Sequence, residues 1–145
     1  MKIINNLNLI SQQDISNLTS NSYGLSGGTS YVAGHYNNTK ANTAWTTNQT
    51  SLKTNEGTIN IDKHTYLNGS TISTANKLTL NTNTLTATNI DDTDTSNTKG
   101  INLNHTQHTN TASLQYANKD KRQLTLTTLA NVSLNIKDKT NSTKT

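Results

Sequence analysis

The residues able to do chemistry are few, and their spacing decides what they can do. His105-Thr106-Gln107-His108 has the form H-x-x-H. On a helix the two imidazoles would share a face and could grip one metal ion; on a strand they point to opposite faces. A zinc site needs three or four ligands, and no third ligand stands at a fixed distance. The pair therefore reads as exposed histidine in a polar loop. Asp91, Asp92 and Asp94 offer the oxygen ligands that Ca²⁺ prefers. The Gly and the closing Glu of a helix-loop-helix calcium loop are missing, and so is the calcium-binding nonapeptide of some β-solenoids. Asp91 to Lys99 thus reads as a solvated polar insertion.

Hydrolytic chemistry fares no better. A glycosidase pair needs two carboxyl groups facing one another across a cleft. Glu56 is the only Glu and Arg122 the only Arg. The Asp residues are spread over the chain, mostly at expected turns. Ser is plentiful, yet no G-x-S-x-G elbow occurs. No catalytic residue, cofactor or metal ligand is nominated, and the chain is not expected to be an enzyme. Lys119, Lys121 and Arg122 are the one basic cluster in a chain of net charge +4. They lack the interleaved aromatics of a nucleic-acid surface, so nucleic acid is not expected as a partner. Trp45, the only Trp, reads as a cover over an end or a junction.

The elements that would position these residues are strands. Only 29% of the 145 residues are hydrophobic, with no Phe, no Pro and no Cys. That excludes a compact core of large aromatics and a disulfide framework. Charged residues are 14%, too few for disorder driven by charge. In Thr58 to Ile90 the apolar residues alternate with Thr, Asn and Ser, the pattern of a strand buried on one face. The pattern recurs. Ile59 and Ile61 match Leu78 and Leu80 at a shift of 19, and Leu67 matches Leu85 and Ile72 matches Ile90 at a shift of 18. Strands recurring at such a period point to a solenoid, where each turn of chain needs only a narrow apolar seam completed by its neighbours. The expected seam is Ile59, Ile61, Leu67, Ile72, Leu78, Leu80, Leu85 and Ile90, continued by Ile101, Leu103, Leu124, Leu126, Val132, Leu134 and Ile136.

Three segments follow. Residues 1–56 hold N-terminal strand signals and a Gly/Tyr-rich stretch from Tyr23 to Tyr36, read as a loop or a hairpin in which Tyr23, Tyr31 and Tyr36 cluster. Residues 57–136 are the coils, with Asn68-Gly69 a strong turn signal and Asn118 to Arg122 a charged turn. Residues 137–145 read as a frayed tail. Met1 to Asp14 has no apolar run long enough for a signal peptide, and no window approaches the ~20 apolar residues of a membrane helix.

With those residues in view, Trp45 to Ile101 resembles the haemagglutinin-repeat region of two-partner-secretion exoproteins: filamentous haemagglutinins and contact-dependent growth inhibition effectors. Gln49-Thr50-Ser51-Leu52 and Gly57-Thr58-Ile59-Asn60-Ile61 resemble that family's turn and following strand. His64 to Ser73 is similar to its N-T-x-L-x-G-A-x-I-x-S run, with His64 for Asn and Ser70 for Ala. Leu80 to Ile90 is similar to L-x-T-G-T-L-x-x-x-D-I, with Asn83 for Gly and Asn89 for Asp. Lys119 to Leu129 looks like the charged turn and strand that follow.

The resemblance implies an all-β chain: a right-handed parallel β-helix (solenoid) with a Gly/Tyr-rich loop or hairpin insertion near the N-terminus. It implies a structural rod segment of a secreted adhesin or contact-dependent inhibition effector on the bacterial cell surface. About six coils would span ~30 Å. The implied partners are the rest of a long exoprotein, an outer-membrane transporter and a target-cell surface. The export signal would lie elsewhere in that protein. Open coil ends add end-to-end self-association as an expectation. The alternative reading is a carbohydrate-binding or carbohydrate-active β-helix fragment.

Overall fold

A computed structural model describes residues 2–3 and 5–144. All regular structure among them is β. The strands are β1 (Lys2–Ile3), β2 (Leu7–Ile10), β3 (Asp14–Gly27), β4 (Tyr31–Trp45), β5 (Ser51–Thr54), β6 (Gly57–Asn68), β7 (Thr71–Thr88), β8 (Ile90–Thr106), β9 (Asn110–Thr125), β10 (Thr128–Ile136) and β11 (Thr143–Lys144). They fall into one sheet of parallel pairings and one in which β3 pairs with β4, and β4 with β8, antiparallel. The chain divides into two compact units. One comprises residues 1–13, 46–92 and 123–145; the other comprises 14–45 and 93–122. The boundary expected at residue 57 falls inside the first unit, and the expected tail carries β11, which pairs with β7.

In the first unit, strands distant in sequence lie side by side in parallel. Ile59 of β6 pairs with Leu80 of β7, which pairs with Leu134 of β10. Leu52, Ile72 and Leu129 form a second such row, and Leu9, Leu67 and Ala87 a third. Four tiers of chain result among the described residues, not the six expected. The offset between β6 and β7 is 21 residues at Gly57–Leu78 and 20 at Leu67–Ala87. The sequence match of Ile59 with Leu78 is therefore corrected by two residues. Two is the side-chain period of a strand, so the slip leaves every residue on its expected face. The change from 21 to 20 occurs at a bulge between Ile61 and His64.

The corrected register puts polar side chains inside, where matching apolar to apolar could not find them. Ile61 pairs with Thr82, and Thr65 with Leu85. Thr65 and Thr82 are fully buried, and the Thr65 hydroxyl donates to that of Thr82 at 2.9 Å. The Thr82 hydroxyl donates in turn to the carbonyl of Thr84 at 2.9 Å. A satisfied hydroxyl pair loses little relative to water, so a β-branched Thr can stand in for Val. This is how a chain so poor in apolar residues still closes a core.

That core is Ile59, Ile61, Leu67, Ile72, Leu78, Leu80, Leu85 and Ala87. Ile90 is buried, while Val132, Leu134 and Ile136 pack against the cluster from the partly buried side. Ile101, Leu103 and Leu124 lie on exposed strand positions instead of the seam, and Leu126 is exposed in the link between β9 and β10. For Ile101 and Leu103 the reason is their membership of the second unit, whose sheet is solvated on both faces.

Outside the core, amides repeat along the ladder. Asn60, Asn81 and Asn135 occupy one register position. The Asn81 amide donates to Asn60 at 2.7 Å, and that of Asn135 to Asn81 at 2.8 Å. A corner sits at Asn68-Gly69, where turn residues were expected. Gly69 has φ +55°, and a Cβ there would press within 2.6 Å of Ile90, so this corner requires glycine on both counts. Asn131 makes the corner of the β10 tier with φ 59°, a conformation Asn tolerates.

The second unit holds a single sheet in the order β3-β4-β8-β9. β3 and β4 form an antiparallel hairpin from Asp14–Trp45 to Gly27–Val32, longer than the Tyr23–Tyr36 stretch that signalled it. β4 pairs with β8 from Tyr31–Thr106 to Ala44–Thr93. A turn in which the Thr106 N–H donates to the Thr109 carbonyl leads into β9. Asp91 to Lys99, expected as a loop, is part of β8, and Asn118 to Arg122, expected as a turn, is part of β9. Pairing with β4 and with β8 supplies ladder bonds that outweigh the weak β-propensity of those polar runs.

Candidate functional site

Chemistry requires a polar group that the fold holds and leaves available. Asp92 meets only the first condition. It follows the buried Ile90 by two residues, so strand alternation turns it to the same inner side. It is 1% exposed. Four donors reach its carboxylate. The Thr46 N–H and the Thr46 hydroxyl both lie 2.8 Å from Oδ1, and the Gln13 amide donates to the same oxygen at 2.9 Å. The Thr125 hydroxyl donates to Oδ2 at 2.5 Å. Burial pushes the Asp92 carboxyl up, but the bonds from Thr125, Gln13 and Thr46 outweigh it and hold the group below its ordinary value of 3.8.

All four residues belong to the first unit, and each lies within three positions of a point where the chain passes between the units. The carboxylate thus ties together four stretches remote in sequence: 13, 46, 92 and 125. Ionised and saturated with donors, it has no proton to give and no oxygen turned to an incoming group. Its chemistry is that of a staple. The Ser11 hydroxyl does similar work nearby, donating to the Gly69 carbonyl at 2.6 Å and accepting from the Thr50 N–H at 2.8 Å.

The other acids named in the sequence are dispersed. Asp91 is exposed, and its backbone carbonyl accepts from Gln13. Asp94 lies in the second unit, 2.5 Å from the Lys119 ammonium; Lys119, with help from the Thr43 hydroxyl, lowers its pKa. Arg122 pairs with Asp120 at 3.2 Å on the surface. His105 ends β8 against the side chain of Asn110. Among the described residues no three of His, Cys, Asp or Glu come close enough to hold a metal ion. Trp45 closes β4, opposite Asp14. Tyr23 and Tyr36 face one another directly, whereas Tyr31 lies against Gly28.

The residue that sequence reading missed is Asp92, and a signal for it was present. Ile90 was expected in the seam, and parity alone places Asp92 beside it. Its partners Gln13, Thr46 and Thr125 carry no such signal, because each is brought in from more than thirty residues away. Comparison with family models, with curated proteins and with solved structures found no match.

Proposed function

We propose that this chain is a structural segment of a surface-displayed haemagglutinin-like exoprotein, with the first unit a short stretch of right-handed parallel β-helix. The observation that carries the reading is the parallel ladder. β6 and β7 stack in register 20 or 21 residues apart, β10 joins β7 from 54 to 57 residues away, and one position repeats Asn60, Asn81 and Asn135. Stacking of that kind lets a chain with few apolar residues extend indefinitely, since each tier completes the one before it. The order of motifs between Gln49 and Ile90 adds the family resemblance.

In this role the segment is a scaffold without catalysis. Its buried carboxylate is spent on four hydrogen bonds, and its repeated amides bind one another. Its partners are the remainder of a long exoprotein, the outer-membrane transporter that exports it and the surface it meets. Antibody raised against the chain should label intact cells that carry the native gene. That labelling should vanish when the outer-membrane transporter that this reading requires is deleted. Labelling seen only after permeabilisation would sink the reading.

A further inference from the structure

The antiparallel sheet of the second unit has two unlike faces. Directly opposed residues share a face, so the strand register sorts the side chains. Tyr23 opposes Tyr36, which opposes Ile101. The Thr106–Thr109 turn sets Leu114 opposite Ile101 on the next strand. One row of four large side chains therefore crosses the whole sheet. The next row toward the hairpin tip is Leu25, Gly34, Leu103 and, by the same turn, Ala112. The reverse face at these levels carries Ser22, Gly24, His35, Asn102, Asn104 and Ser113.

The apolar rows are bare. Tyr23, Leu25 and Leu114 are each 83% exposed and Leu103 is 51% exposed. A shallow hollow of about 450 Å³ opens over Gly34 and Ala112, bordered by Leu25, Val32 and Leu103. Monomeric proteins seldom leave so continuous an apolar face in water.

We propose that this face packs against the same face of a second copy of the chain, giving a closed two-fold dimer. Its relief is self-complementary. A two-fold axis lying between the two rows, and parallel to them, sets the row of large side chains of one copy over the hollow row of the other. Tyr36 then enters the hollow at Gly34, and Leu114 meets Ala112. The arrangement is that of two sheets packed face to face at ~10 Å.

The size also suits a second copy. Four strands at ~4.8 Å and about six residues at ~3.4 Å give a footprint of roughly 400 Å² per copy. With the side-chain relief included, the total approaches the ~1,000 Å² at which specific interfaces begin. The two apolar rows carry no formal charge. Lys99 stands in the next row of the same face, opposite Asn38, and the two-fold axis sets it over the second copy's tip row of Val32 and His105, where its exposed side chain carries the ammonium out to water at the rim. Lys40, Asp120 and Arg122 lie farther along the same face, where the antiparallel arrangement leaves them beyond the partner's hairpin tip.

The test is sedimentation equilibrium of the full chain across a concentration series. A monomer–dimer equilibrium that stops at two is expected. Leu25→Lys and Leu114→Lys, at positions already mostly in water, should each weaken it at least about tenfold, because a two-fold contact buries the added charge twice. Gln115→Lys, on the reverse face, should leave it unchanged, and circular dichroism should be unaltered in all three. A chain that stays monomeric to about millimolar concentration overturns the proposal. So does a dimer indifferent to both lysines. An open-ended series that neither lysine interrupts also overturns it, and assigns association to the coil ends, while the surface-labelling result stands or falls separately.

Discussion

Replacing Asp92 by Asn keeps the size of the side chain but turns one acceptor into a donor. The three donors on Oδ1 keep their acceptor, but the NH2 that replaces Oδ2 now faces the Thr125 hydroxyl, donor against donor, and at least one buried N–H or O–H is stranded. Asp92→Asn should lower stability by about 2–4 kcal/mol, the scale of a broken buried charged network. The readout is the urea midpoint, with the denaturant slope unchanged. The same residue sets an acid response. Its pKa is lowered in the fold, so the unfolded chain binds the proton first as pH falls. Its stabilisation is complete above the ordinary value of 3.8 and is lost as pH drops through the lowered one. Asp94, held down by Lys119, and Asp138, held down by Asn141, act in the same sense. Wild type and Asp92→Asn should therefore converge in stability below about pH 4, where the ordinary carboxyl begins to take up its proton. A constant gap down to pH 2 would show that its charge contributes nothing. Ser70 poses the opposite case: it is fully buried, and its hydroxyl has no partner among the described residues. Ser70→Ala should be neutral or stabilise by up to about 1 kcal/mol. A clear loss of stability would mean that the hydroxyl is satisfied after all.

At the scale of elements, the tiers are joined by more than backbone bonds. Asn81 links the tiers above and below it through Asn60 and Asn135. Asn81→Ala removes both amide bonds and should cost about 1–2 kcal/mol. Asn135→Ala removes one and should cost about half as much; equal losses would show that the amide row adds nothing beyond its pairwise contacts with solvent. Turn chemistry was legible here. Asn68-Gly69 announced a corner, and Gly69 occupies it with positive φ. The length of the hairpin was not legible. Asp14–Trp45 is rich in Asn, Ser and Thr, which look alike in a loop and on a solvated sheet. Only pairing with β8, more than fifty residues away, decides between them.

For the whole molecule, order should follow the number of ladders that each strand joins. β7 is bonded to β6 on one side and to β10 on the other, and carries most of the core. β3 is an edge strand, and β9 has its side chains in water from Asn110 to Leu124. Amide exchange should be slowest along Thr71–Thr88 and faster by at least about a hundredfold in β3 and β9, because edge amides open without global unfolding. Uniform exchange across both units would contradict that ordering. The proposed pairing of the apolar sheet faces predicts a closed dimer, whereas pairing at open strand edges would give an open series. A closed dimer and an open series are distinguishable by stoichiometry alone.

The sequence by itself determined that the chain is β throughout, that 57–90 supplies the seam and that Asn68-Gly69 turns. Those are local matters: side-chain alternation has a period of two, and glycine alone relaxes at positive φ where a neighbour presses close. Tertiary structure alone decided the register of 20 and 21, the burial of Thr65, Thr82 and Asp92, and the sorting of one continuous chain into two units. Apolar matching cannot distinguish registers two residues apart, since both keep the same faces inward. The choice falls to bulges, corners and hydroxyl pairs that exist only once distant strands meet. The same holds for the bare apolar face. Tyr23 and Tyr36 were expected to meet in a hairpin and Ile101 to join the seam, but the single row that they form with Leu114 exists only across paired strands.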